Sequence, residues 1–129
     1  MTPAKARVLL IMLVAVLAVS CGEALLAKGM KQTAGASGAA AIRAAAANPR
    51  VICGVCLMAV YFALYMLALR WADLSFVLPI TALSYLLGAI LARLYLHEHV
   101  TAVRWIGAIV ITIGVIIVGL GDAGPHAAP

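Results

Sequence analysis

The side chains best suited to binding or moving a solute are Glu23, Lys28, Tyr61, Tyr65 and Tyr85. Glu23 lies in the stretch VLAVSCGEALLAKG and is the only one of the four acids well inside an apolar segment, since Asp73, Glu98 and Asp122 fall at segment ends or in the tail. An acid at the centre of a membrane helix costs about 2.5–3.5 kcal/mol on insertion scales, and less toward an interface. Such a carboxylate can bind a proton or a cation, or hold the polar head of a substrate. It can also simply bond Ser20 on its own helical face or reach for Lys28 in the next turn. Tyr61 and Tyr65 are spaced i, i+4 and share a face, while Ser75, Thr81, Ser84 and Tyr85 follow on the next segment. These groups can line a polar cleft or bond between helices. Pro79 cannot donate to the carbonyl of Ser75, so a kink is expected there, and interrupted membrane helices mark either hinges and binding sites or plain bends.

Other constellations are poorer. Cys53 and Cys56 form a C-x-x-C without a second ligand pair, whereas zinc takes about four ligands, so the three cysteines read as packing residues and no metal is expected. His97 and His99 sit two apart, about 200° round a helix, and flank Glu98 in a boundary turn. No nucleophile–base–orienter set or phosphate loop is visible, so neither a catalytic residue nor a cofactor is expected. A lipoprotein cut at Cys21 calls for Leu three positions earlier, where Ala18 stands, and would discard most of the first span.

The elements that must position these residues are set by composition. Of 129 residues, 67% are hydrophobic and 10% are charged, with a mean hydropathy of +1.18. A water-soluble domain carries about 25% charged residues, so this chain is an integral membrane protein. Four apolar segments, 8–27, 51–69, 74–96 and 102–120, approach the ~20 residues that span ~30 Å of hydrocarbon. Their length and lack of alternation predict helices, giving an all-α polytopic protein with four transmembrane helices in one domain over 1–121. The 28–50 connection is long and Ala-rich, and AAAIRAAAAN within it has the propensity for a short surface helix. Asn48-Pro49, Asp73 and Thr101 are candidate helix starts. The tail 122–129 is small, polar and punctuated by Pro and Gly, which predicts disorder.

Ser84, Gly88 and Ala92 make a small-residue ridge on the third span. Gly107 and Gly114, seven apart, share a face of the fourth, which reads as an association surface within the subunit or in a dimer. The net charge of +5 forms no basic stripe with interleaved aromatics, which excludes nucleic acid as a partner. Six of the nine Lys and Arg fall on the side of the first and third connections, nominally placing both termini outside the cytoplasm. Four helices are too few to enclose a large solute path, so transport implies a homodimer or a homologous second subunit.

The stretch LALRWADLSFVLPITALSYLLGAILARLYLHEHVTAVRWIGAIVITIGVIIVG resembles the drug/metabolite transporter superfamily, in its short four-helix EamA-like members. The resemblance rests on the polar turn before LSFVLPITALSY, the HE pair after the third span and the Trp-Ile-Gly opening of the fourth. CGEALLAKGMKQ is similar to the end of the family's first helix. Within the superfamily the chain looks most like the small subunits that flip aminoarabinose-phosphoundecaprenol. Gly22, Glu23, Lys28, Pro79, Ser84, Glu98, Gly107 and Gly114 match that pattern, with an acid at 23 where an amide often stands. The resemblance implies a multi-pass subunit of the bacterial inner membrane that moves an amphipathic, lipid-linked sugar. The sibling small multidrug antiporters exchange protons for cations on a first-helix Glu three residues before the Gly. Here Val19 holds that position and Glu23 lies about 40° round and ~6 Å further along. Antiport of organic cations is therefore the alternative reading, and a non-transporting accessory subunit a third.

Overall fold

The computed structural model describes residues 3–121, and the predicted tail 122–129 lies outside them. Among the described residues six helices follow one another: α1 (Pro3–Gln32), α2 (Ala39–Ala47), α3 (Pro49–Leu69), α4 (Leu74–Thr81), α5 (Leu83–Leu94) and α6 (Ala102–Gly121). The described chain is all-helical. Four stretches are long and apolar enough to cross a membrane: α1, α3, α4 with α5, and α6.

The first helix is longer at both ends than the expected 8–27. Pro3 suits a first turn, and Ala, Lys and Arg before Val8 are good helix formers. At the other end the helix runs on through Lys28 and Gln32 and stops at Thr33, whose hydroxyl donates to the carbonyl of Met30 at 2.9 Å. Thirty residues extend about 45 Å, so α1 outreaches the bilayer core. The connection expected over 28–50 thus shrinks to 33–38 plus α2, which starts after Gly38 at φ 59°, a conformation glycine adopts without a Cβ clash.

Asn48 ends α2 and starts α3. Its Oδ1 accepts from the Arg50 amide at 3.0 Å, and its Nδ2 donates to the Gly29 carbonyl at 3.3 Å and to Gln32 Oε1 at 3.0 Å. The Asn-Pro start is therefore realised, and the same side chain ties α3 to the end of α1. Thr101 also caps as expected, accepting from the Arg104 amide at 3.4 Å. Asp73 occupies the N-cap position of α4, but its side chain makes no capping bond; its backbone carbonyl accepts from Phe76 and Val77 instead.

The third span is not the single helix expected over 74–96. It breaks at Ala82 and ends at Leu94. Pro79 removes one donor from the ladder, and the amides of Ala82 and Tyr85 then bond three residues back, to Pro79 and Ala82. After α5 the chain turns at His97, φ 55°, which lets the Glu98 amide donate to the Ala92 carbonyl at 2.9 Å.

The first helix is the hub. It packs most extensively on α3 and then on α5 and α4, whereas α6 packs on α5 and α4. Of the apolar window of α1, 39% is buried within the subunit, against 6% for α6, so α6 is the outermost span. Toward the start of α1, Val8, Met12 and Val16 pack with Ala68, Val77 and Ile80 into a closed core. Toward its end the α1–α3 contact is made by glycines. A Cβ on Gly22 would stand 3.1 Å from the Gly54 carbonyl oxygen, and one on Gly54 would stand 2.9 Å from that of Gly22. Outward faces are apolar, as at Leu17, Phe62, Ile106 and Ile117, and suit contact with hydrocarbon. Cys21, Cys53 and Cys56 are free and exposed, so the packing role expected for them inside the bundle is not realised.

Candidate functional site

The closed core holds α1 tightly at one end, and at the other α1, α3, α5 and the start of α6 diverge around a cleft of about 600 Å³. Glu23 and Val19 face it from α1, Met58 and Tyr61 from α3, and Thr81 from the end of α4. Ser84, Tyr85, Gly88, Ala89 and Ala92 line it from α5, Val100 from just before α6 and Arg104 from the first turn of α6. Glu23, Tyr85 and Arg104 are all exposed in the isolated subunit, so the cleft is open along one side.

The break at Ala82 is what turns these groups together. Ser84 and Tyr85 fall in the first turn of α5, immediately past it. Gly88 and Ala92, one and two turns beyond Ser84, keep the wall low, and a Cβ on Gly88 would meet no atom within 4 Å. Of the hydroxyls, that of Thr81 is committed to its own helix, donating to the Leu78 carbonyl at 2.6 Å. Glu23 is not held by its neighbours: among the described residues no hydrogen bond or ion pair engages its carboxylate, including to Ser20 or Lys28.

Not all the residues singled out in the sequence meet here. Tyr65 stacks against Tyr61, with ring centroids 5.9 Å apart at 39°, and packs on the closed core instead of lining the cleft. Lys28 turns away, its ammonium 4.3 Å from the centroid of the Tyr95 ring, a cation–π contact. Pro79 shapes the cleft through the break without lining it. Gly107 and Gly114 lie on α6, where a Cβ added at either would meet nothing within 4 Å, so both point away from the bundle. The inward face of α6 is instead the one carrying Ala108, its buried residue.

Arg104 is the lining residue that sequence reasoning missed, having been counted only among the boundary cations. It stands one turn before Ala108 and therefore on the same, inward face. A cleft lined by one carboxylate, one guanidinium and two phenol rings can bind a polar or charged head group non-covalently. Among the described residues no group of three or more His, Cys, Asp or Glu is placed to hold a metal ion.

Four apolar spans around an open, partly polar cleft define a small multi-pass membrane protein. The profile of the EamA-like transporter family matches residues 47–120, more than half of the chain. The chain belongs to that family, within the drug/metabolite transporter superfamily, a family of transporters and not of enzymes. Searches of curated proteins and of solved structures gave no match. The matched residues comprise α3 to α6; α1, which carries Glu23, precedes them.

Proposed function

We propose that the chain is one subunit of a bacterial inner-membrane transporter that moves an amphipathic metabolite, such as a polyprenyl-phosphate-linked sugar, as a homodimer or with a homologous small subunit. The observation that carries this reading is the side-open cleft lined by both Glu23 and Arg104. A lipid-linked sugar needs a polar recess for its head and free passage for its tail. An open-sided cleft in a membrane bundle offers both, because the tail can stay in the hydrocarbon while the head crosses. Arg104 is suited to the phosphate, since a guanidinium matches its oxygens in a two-pronged fashion. Glu23 is suited to an amino or hydroxyl group on the sugar. Lys28 and Lys31 lie at the same end of the bundle, where they add positive potential for an approaching anion.

The test is head-group movement in proteoliposomes holding the full chain, with and without a homologous partner subunit, using a fluorescent polyprenyl-phosphate sugar. Glu23→Gln and Arg104→Gln are each expected to slow it by roughly 10- to 100-fold, the worth of one charge-assisted hydrogen bond. Absence of movement in every pairing would overturn the reading.

The flanking of Glu23 by Tyr61 and Tyr85 supports a second reading, proton-coupled export of organic cations, because aromatic faces and a carboxylate suit a cation. Efflux and proton release that persist unchanged in Glu23→Gln would exclude it.

A further inference from the structure

Beside the cleft lies a second, smaller cavity of about 170 Å³, between α1, α5 and the turn that follows α5. Ser20 and Glu23 line it from α1, Gly88 and Ala92 from α5, and Leu96 and Glu98 from the turn. Glu23 is thus a wall common to both spaces. The hydroxyl of Ser20 is the informative group. Ser20 is 1% exposed and its Oγ has no hydrogen-bond partner. A buried helical hydroxyl ordinarily bonds a carbonyl one turn back, as Thr112 does to Ala108 at 2.8 Å in this same chain. Leaving one unpaired costs about 1–3 kcal/mol, so the oxygen is kept available for something the chain itself does not supply.

Charge says what that is. Two carboxylates, Glu23 and Glu98, line the cavity, and Lys31 is ion-paired with Glu98 from the end of α1. Lys28 is engaged on the Tyr95 ring, and Arg104 lies in the larger cleft. Glu23 is left as the carboxylate of the cavity without an ion pair among the described residues, inside a candidate membrane span where an uncompensated charge is costly. A single monovalent cation balances it, whereas a divalent ion would reverse it. The lining donors are two carboxylates and a hydroxyl, all hard oxygens, which suit an alkali-metal ion. The space has room for an ion that keeps part of its hydration shell.

We propose that this cavity is a Na⁺ site, formed by Ser20, Glu23 and Glu98. The proposal rests on the transport reading and deepens it by naming the coupling ion. Because Glu23 borders both spaces, ion and cargo act on one carboxylate, which is how occupancy of one site is felt at the other. Lys31 stays on Glu98 when the ion is bound, so one monovalent ion completes the balance, and the lysine's own positive charge beside the site weakens ion binding.

The experiment is equilibrium binding of ²²Na⁺ to the purified full-length protein in detergent, without cargo, against choline as an inert cation. One saturable site per chain is expected. Ser20→Ala is expected to weaken binding by about fivefold, the worth of one lost oxygen contact, and Glu98→Gln to weaken it further. Lys31→Gln is expected to tighten it, an outcome that a merely structural role for the ion pair does not produce. Circular dichroism checks that each variant is folded; the Lys31–Glu98 pair is surface-exposed, so its loss costs the fold little. No saturable Na⁺ binding by the wild-type protein, or equal affinity in all variants, would overturn the proposal. Cargo movement is measured separately in K⁺ medium. Movement there by a protein that binds no Na⁺ overturns this site and leaves the transport reading standing, and Na⁺ binding without cargo movement in any medium does the reverse.

Discussion

The glycine contact between α1 and α3 yields a prediction whose size follows from the geometry. Gly54→Ala would place a Cβ 2.8 Å from Leu26 Cγ, 2.9 Å from the Gly22 carbonyl oxygen and 3.2 Å from the Leu26 amide nitrogen. The leucine tip can rotate away, but the carbonyl and amide belong to the backbone of α1. Ordinary Cβ contacts begin at 3.4 Å, so the two helices must separate by about 0.5 Å. Overpacking of this kind costs about 1–3 kcal/mol, a factor of roughly 5 to 150 in the folding equilibrium. Alanine's better helix propensity opposes it by up to about 1 kcal/mol. The control is therefore Gly119→Ala, at a helical position with no atom within 4 Å of a new methyl, where only the propensity gain operates. Reversible unfolding in mixed SDS micelles, followed by far-ultraviolet circular dichroism, compares the two. Gly54→Ala should be the less stable by about 1–3 kcal/mol. Coincident unfolding curves would refute the close approach, and with it the position assigned to Glu23, the residue that follows Gly22.

Two further outcomes are expected. Asn48→Ala removes the cap on α3 and both ties to the end of α1, so it should cost about 1–2 kcal/mol and speed amide hydrogen exchange at Arg50, whose N–H the side chain accepts. Gly107→Leu and Gly114→Leu should leave the subunit's fold unchanged, since both positions are open, while lowering self-association measured by energy transfer between labelled chains in liposomes. Unchanged association would move the subunit contact to another face.

The spans were legible because a bilayer imposes one crude requirement: a long apolar run with its backbone bonded internally. Asn48-Pro49 and Thr101 were legible for a local reason, as caps act within three residues. The extent of α1 was missed because hydropathy ends at Ala27 while helix propensity does not; Lys28 to Gln32 are mostly polar yet largely good helix formers. The break at Ala82 was anticipated only as a kink, since the local bonds that replace the one lost at Pro79 follow from packing of α4 on the closed core. In the cleft, Glu23, Ser84 and Tyr85 were found from polarity inside apolar runs, but Tyr61 and Tyr65, equivalent by spacing, divide between cleft and core. Arg104 was invisible because the rotation of α6 is fixed by burial of Ala108, and the glycines that stand out in its sequence point the other way.

That division of labour bears on how far family membership reaches. The matched segment supplies three of the four spans: the broken third, the outermost fourth and the α3 face that receives α1. The groups proposed to meet cargo and ion come from both sides of that boundary: Glu23 and Ser20 from α1, which lies before it, and Arg104 and Glu98 from the matched segment. The family segment thus forms a trough that carries Arg104 and Glu98, and the preceding helix adds the one intramembrane acid, Glu23. Replacing Glu23 alone changes the net charge of both cavities while touching no backbone contact, because the tight fit to α3 is made by Gly22 and Gly29. Selectivity can therefore shift through α1 without disturbing the fold, so the cargo must be sought by perturbing Glu23 on α1 together with Arg104 in the matched helices.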